Sequence, residues 1–169
     1  MEQTLTGERA DLLETLRKHR FFLRNTARDL TDEQAATRST VSALCVGGLI
    51  KHVTIAEADW VHFIEHGTRV DDAAEPDYAA HALSFQMLEG ETLEVLLARY
   101  DEVAKHTDEM VATLADLDLS HPLPPAPWFE PGARWTARRA LLHIIAETAQ
   151  HAGHADIIRE AIDGAKSMG

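Results

Sequence analysis

The segment TARRALLHIIAETAQHAGHADIIREAIDG, residues 136–164, contains no proline and keeps one helical period from a capping threonine to a closing glycine. It predicts a helix of about 28 residues, long enough to run the full height of a domain. Its apolar face is unusual. With about 100° of rotation per residue and His143 set to zero, Glu147 falls at about 40°, His151 at about 80° and His154 at about 20°. The same arc carries Ala140, Ile144, Ile158 and Ile162, so these ionisable groups are directed at the apolar interior and not at water. A carboxylate and imidazoles buried without partners would cost several kcal/mol, of order 2–7 for each unpaired polar group. Something must therefore neutralise or coordinate them.

The rest of the chain supplies three more long helical patterns. Leu5, Leu12, Leu13, Leu16, Phe21 and Leu23 give helical spacing from Thr4 to Leu30. Ser39, Thr40 and Ser42 offer capping hydroxyls ahead of a second helix over about residues 41–66, which Gly67 ends. A third period runs from Thr92 to Leu117 through Leu93, Leu96, Leu97, Tyr100, Val103, Met110 and Leu114. Residues 68–90 read as a loop, with the acidic run Asp71–Glu75 solvated. The stretch SHPLPPAPWFEPGARW holds five prolines between residues 122 and 131 and reads as an ordered crossover. No alternating strand pattern competes. The expectation is all-α: a four-helix bundle with long crossover loops, one domain over residues 1–169.

Composition narrows function. Sixteen basic against 28 acidic residues leave a formal charge of −12, which argues against nucleic acid and anionic membrane surfaces as partners. No apolar run approaches the ~18 residues of a membrane span, and MEQTLTGERADLL lacks a basic-then-apolar leader pattern. Cys45 is the only cysteine, so no intramolecular disulfide forms. These features lead to the expectation of a soluble, cytoplasmic protein.

A divalent metal would satisfy the buried stripe. Glu147 and His151 stand at i and i+4 and can converge on one ion. His52 on the second helix, flanked by Ile50, Val53 and Ile55 and sharing a face with Cys45, Leu49, Ala56 and Asp59, supplies a third ligand. Three protein ligands leave a position open, as in catalytic zinc sites. Taken singly, His52 is a core histidine and Glu147–His151 an ordinary helical pair; the three together shift the balance. A carboxylate-bridged di-iron bundle would need Glu-x-x-His on two helices, and no second such motif occurs. Cys45 lies ~10 Å along the helix from His52 and reads as a small buried residue. His62, His66, His81, His106 and His121 show no convergent spacing. Trp60, Trp128 and Trp135 read as core or loop anchors, and the Pro-rich loop around Trp128 could cover the mouth of the bundle.

GGLIKHVTIAEADWV around His52 and LLHIIAETAQHAGHADIIRE resemble, in order and spacing, the motifs of the DinB-like metalloprotein superfamily over nearly the whole chain. That superfamily is a four-helix bundle with a histidine on helix two and His-x-x-x-His on helix four. Here Glu147 stands where a histidine is usual and His154 where a glutamine is usual. The resulting His, Glu, His set is similar to that of the metal-binding domain of mycothiol-dependent maleylpyruvate isomerase and of small actinobacterial relatives.

The resemblance implies a zinc or nickel site at His52, Glu147 and His151; by helix position His143 and His154 read either as partners of those ligands or proton carriers or as packing histidines, and Asp59 as a pocket-lining or a surface acid. The resemblance also implies a low-molecular-weight thiol and a small electrophile as partners, and commonly a homodimer. The implied activity is thiol S-transfer, isomerisation or detoxification, with a metal-activated thiolate or water as nucleophile. The alternative is a non-catalytic metal-binding stress-response bundle, in which the ion only ties two helices together.

Overall fold

The computed structural model describes residues 5–69 and 78–167. Four long helices dominate: α1 (Glu8–Thr26), α3 (Val46–His66), α5 (Leu93–Thr113) and α6 (Ala137–Asp163). α1 packs along α6, α6 along α3, α3 along α5 and α5 back on α1, so the four close a ring. This is the predicted all-α bundle of the DinB-like type. Among the described residues no helix is long and apolar enough to cross a membrane.

Each long helix buries one stripe, and together the stripes form two apolar clusters. One contains Leu13, Leu16, Ile64, Val111, Leu141 and Ile144. The other contains Leu23, Leu49, Ile50, Val53, Tyr100, Ala155 and Ile158. Buried polar residues occupy the positions between the two clusters on each helix: Arg20, Glu57, Thr107 and Thr148. Caps fix the helix ends. Thr136 Oγ1 accepts from the Arg139 amide, and Gly164 closes α6 in the left-handed conformation, as its sequence predicts.

Several predicted boundaries move. α1 begins at Glu8, not Thr4, and stops at Thr26, because residues 27–30 turn back on themselves through hydrogen bonds to Arg24, Asn25 and Ala27 carbonyls. A capping box on Thr31 and Gln34 then starts a short α2 (Asp32–Ala36). α3 starts at Val46, not residue 41. Its N-cap is Cys45, whose Sγ accepts from the Gly48 amide at 3.3 Å. Ser39, Thr40 and Ser42 do not cap it: Ser39 donates to the Ile158 carbonyl and the other two serve local turns. α5 ends at Thr113, short of Leu117.

Besides α2, a further helix and a small ribbon were not predicted. A seven-residue α4 (Tyr78–Ser84) lies inside the stretch read as loop; the acidic run Asp71–Glu75 falls outside the described residues. The Pro-rich crossover is closed by a two-stranded antiparallel ribbon, β1 (Ser120–Pro122) and β2 (Arg134–Thr136), with His121 opposite Trp135. Three-residue strands are too short for an alternating pattern to register, and they form because the loop brings its own ends together.

Candidate metal centre

His52 sits on the inner face of α3, and Glu147 and His151 sit one turn apart on α6. Potential ligand atoms of the three lie within 4.8 Å of one another. The His52 and His151 rings meet edge to face with centroids 5.0 Å apart. His151 Nε2 is 3.3 Å from Glu147 Oε2. Both imidazoles are buried, and the carboxylate is partly open to solvent.

Burial sets the electrostatics. Desolvation, followed by the neighbouring His151 and His81, pushes the His52 pKa down to about 4. Desolvation also lowers His151, against the opposing pull of Glu147. Both rings are therefore neutral near pH 7 and carry lone pairs, the state a metal ligand requires. Among the described residues only imidazoles approach Glu147 within ion-pair range: His151, and His143 with Nε2 at 3.7 Å from Oε1. Two neutral nitrogens and one uncompensated carboxylate form an N/O donor set with a net negative charge. That set suits a divalent ion.

The other predicted neighbours take distinct places. His143 is half-buried and packs edge-on against Trp60 and Trp135, which stack on each other at 4.7 Å. Its pKa is lowered by desolvation, with Glu147 opposing and Arg139 assisting. His154 lies behind the site, its Nδ1 3.4 Å from His151 Nδ1. Asp59 is paired with Arg69 at 2.7 Å. Cys45 is buried and spends its sulfur on the α3 cap.

A cleft of about 670 Å³ opens over the centre. His52 and Glu147 are at its base, Trp60 and His143 on one wall, Asp59 and Arg69 on another, and Pro124, Trp128 and Phe129 of the Pro-rich crossover across it. Trp128 is 60% exposed there, so the crossover does border the mouth of the bundle.

Sequence reasoning missed the residues that meet His52 from its far side. Ser84 Oγ is 2.9 Å from His52 Nδ1, and the Phe85 ring stacks on the imidazole at 3.8 Å with 21° between planes. His81, one of the unassigned histidines, lies edge-on to it at 5.5 Å. All three come from α4 and the turn after it, where the sequence carries no long helical period that could have placed them.

The arrangement defines a class: a DinB-like four-helix bundle with a histidine–carboxylate centre at the base of an open cleft. The family profile described as Mycothiol-S-transferase matches residues 11–164, and the chain belongs to that family. A crystal structure of a conserved protein from Enterococcus faecalis has the same fold, with a TM-score of 0.70 and 16% identity over 95% of this chain and 100% of that one. No curated protein matches the chain.

Proposed function

We propose that the protein is a metal-dependent thiol S-transferase that joins a low-molecular-weight thiol, mycothiol on the family's name, to a small electrophile. The observation that carries this reading is the convergence of His52, Glu147 and His151 within 4.8 Å at the base of a cleft, in a chain of that family. These three residues would hold one divalent ion. When bound, such an ion lowers the pKa of a thiol that reaches it, so that thiolate is present at neutral pH.

The chain's own residues do the remainder. Glu147 supplies the negative charge of the donor set, and burial keeps His52 and His151 as neutral donors. His143 Nε2, close to Glu147 on the cleft wall and neutral at pH 7, is placed to take the thiol proton. In the overall transfer the S–H bond breaks, a bond forms between sulfur and the electrophilic carbon, and the leaving group departs into the cleft. His154 acts on His151 from behind, and Asp59 and Arg69 flank the entrance. The aromatic walls, Trp60, Phe63, Trp128 and Phe129, keep water from the nucleophile and receive the apolar part of the electrophile.

The test is the metal content of the purified protein beside His52→Ala and Glu147→Ala, with conjugation of a fluorogenic alkylating electrophile to mycothiol as the second readout. Wild-type protein should hold about one divalent ion per chain, and each variant should lose both metal and activity. Unchanged metal content in both variants would overturn the reading. Metal bound without any thiol-dependent conjugation would instead leave the non-catalytic bundle.

A further inference from the structure

Ser84 has a single hydroxyl proton, and its neighbours decide where that proton goes. Its Oγ donates to the His81 carbonyl at 2.7 Å, an atom that can only accept. The contact between the same oxygen and His52 Nδ1, at 2.9 Å, must then be filled from the imidazole side, with Nδ1 as the donor. A neutral imidazole protonated at Nδ1 keeps its lone pair on Nε2. With Nδ1 occupied, Nε2 is the nitrogen left for the centre that His52 shares with Glu147 and His151. Free histidine favours the opposite tautomer, so this form has to be imposed.

The surrounding packing holds Ser84 in place. The strap of residues 84–91 lies on the first turns of α3, where two glycines admit it. A Cβ on Gly48 would fall 1.9 Å from the Phe85 carbonyl oxygen, and one on Gly47 would fall 2.6 Å from Met87 Sδ. Lys51 Nζ donates to the Gln86 carbonyl at 3.1 Å and pairs with Glu91 at 2.9 Å. Glu91 in turn accepts from the Leu88 amide at 2.7 Å. Phe85 covers the face of the His52 ring, which limits its rotation.

We infer that Ser84 is a positioning residue for the metal centre: carried by the strap, it holds His52 as the Nδ1–H tautomer and reserves Nε2 for the ion. The inference rests on the metal reading of the site. It predicts that Ser84 acts on metal affinity without touching the ion, as outer-shell partners of histidine ligands do, with losses of about 10- to 100-fold when such a partner is removed.

The experiment uses the metal-free, ¹⁵N-labelled full chain. Its long-range ¹H–¹⁵N spectrum reports the protonated nitrogen of each imidazole, with His52 assigned through His52→Gln. Cobalt(II) titration of the same samples reports affinity. Wild-type His52 should show a protonated Nδ1 and a bare Nε2. Ser84→Ala should move His52 toward the Nε2–H form and weaken cobalt(II) binding about 10- to 100-fold. Ser84→Thr, which keeps the hydroxyl, should restore both readouts. A wild-type His52 protonated at Nε2 overturns the inference even if Ser84→Ala fails to fold. So does a folded Ser84→Ala protein with unchanged ring shifts and affinity. Wild-type protein with the Nδ1–H form that takes up no cobalt(II) overturns the metal reading and the positioning role with it, a result distinct from a wrong tautomer.

Discussion

Two buried polar groups lie side by side in the bundle, and they are built on opposite principles. In the first, the Arg20 guanidinium donates to both oxygens of Glu57 and, at 2.8 Å, to Asp108. Thr107 adds a hydroxyl to Glu57 at 2.6 Å. Desolvation opposes the charge on Arg20, and Glu57 and Asp108 outweigh it, so its pKa is raised. In the second, His52, Glu147 and His151 bring lone pairs and a negative charge together with no lysine or arginine in range among the described residues. The first group carries its own cation and is complete. The second has no cation of its own among the described residues, could be completed by one from outside, and borders the cleft beneath the Pro-rich crossover. A buried charge matched from within the chain reads as structure, whereas a donor set lacking its counter-charge reads as a binding site.

If that contrast is right, the two groups respond differently to mutation and pH. The largest effect belongs to Arg20→Ala, which strands the buried Glu57 carboxylate. It should destabilise the fold by about 3–5 kcal/mol in urea unfolding; a loss under 1 kcal/mol would show that the first group is not a closed ion pair. Gly48→Ala comes next, since its Cβ must displace the Phe85 carbonyl. Overpacking of this kind costs about 1–3 kcal/mol, and because the displaced strap carries Ser84, cobalt(II) affinity should fall as well. A melt indistinguishable from wild type would remove the strap as a rigid support.

The pH response of the metal-free protein sharpens the same comparison. His52 titrates at about 4 in the folded chain against an ordinary value of 6.5. Between those values the unfolded chain binds more protons, so stability rises with pH across the window and is lost as the pH falls from 6.5 toward 4. Lowered pKa values at His151 and His143 act with the same sign. Urea midpoints measured over this range should therefore slope upward with pH, and His52→Gln should flatten the slope. A flat wild-type profile would contradict the burial of neutral imidazoles. The smallest stability effect should come from Glu147→Gln. A half-open carboxylate without a cationic partner contributes little to folding, so the unfolding free energy of the metal-free protein should change by less than about 1 kcal/mol while metal binding is lost.

How far the site was legible depends on the distance along the chain over which each contact acts. Glu147 and His151 were found because a helix's own repeat puts i and i+4 on one face, and His52 because its neighbours in sequence are apolar. Cys45 as a cap and Ser84 as a partner for His52 were not. A thiol sulfur that accepts from a backbone amide has no distinctive pattern, and Ser84 sits in a seven-residue helix too short to show a period. The ion cluster of Arg20, Glu57 and Asp108 escaped for a related reason: each residue looks like an ordinary charged helix residue until three helices meet.

The sequence alone determined that this chain is helical, where its four long helices lie to within a few residues, and that α6 turns ionisable groups inward, because helical periodicity and capping are local properties. Only the tertiary structure decided which of ten histidines meet, that the strap after α4 closes over His52, and that the centre opens into a cleft bordered by the Pro-rich crossover. Those outcomes depend on how helices separated by tens of residues pack against one another, and packing is a property of the whole fold that no single stretch encodes.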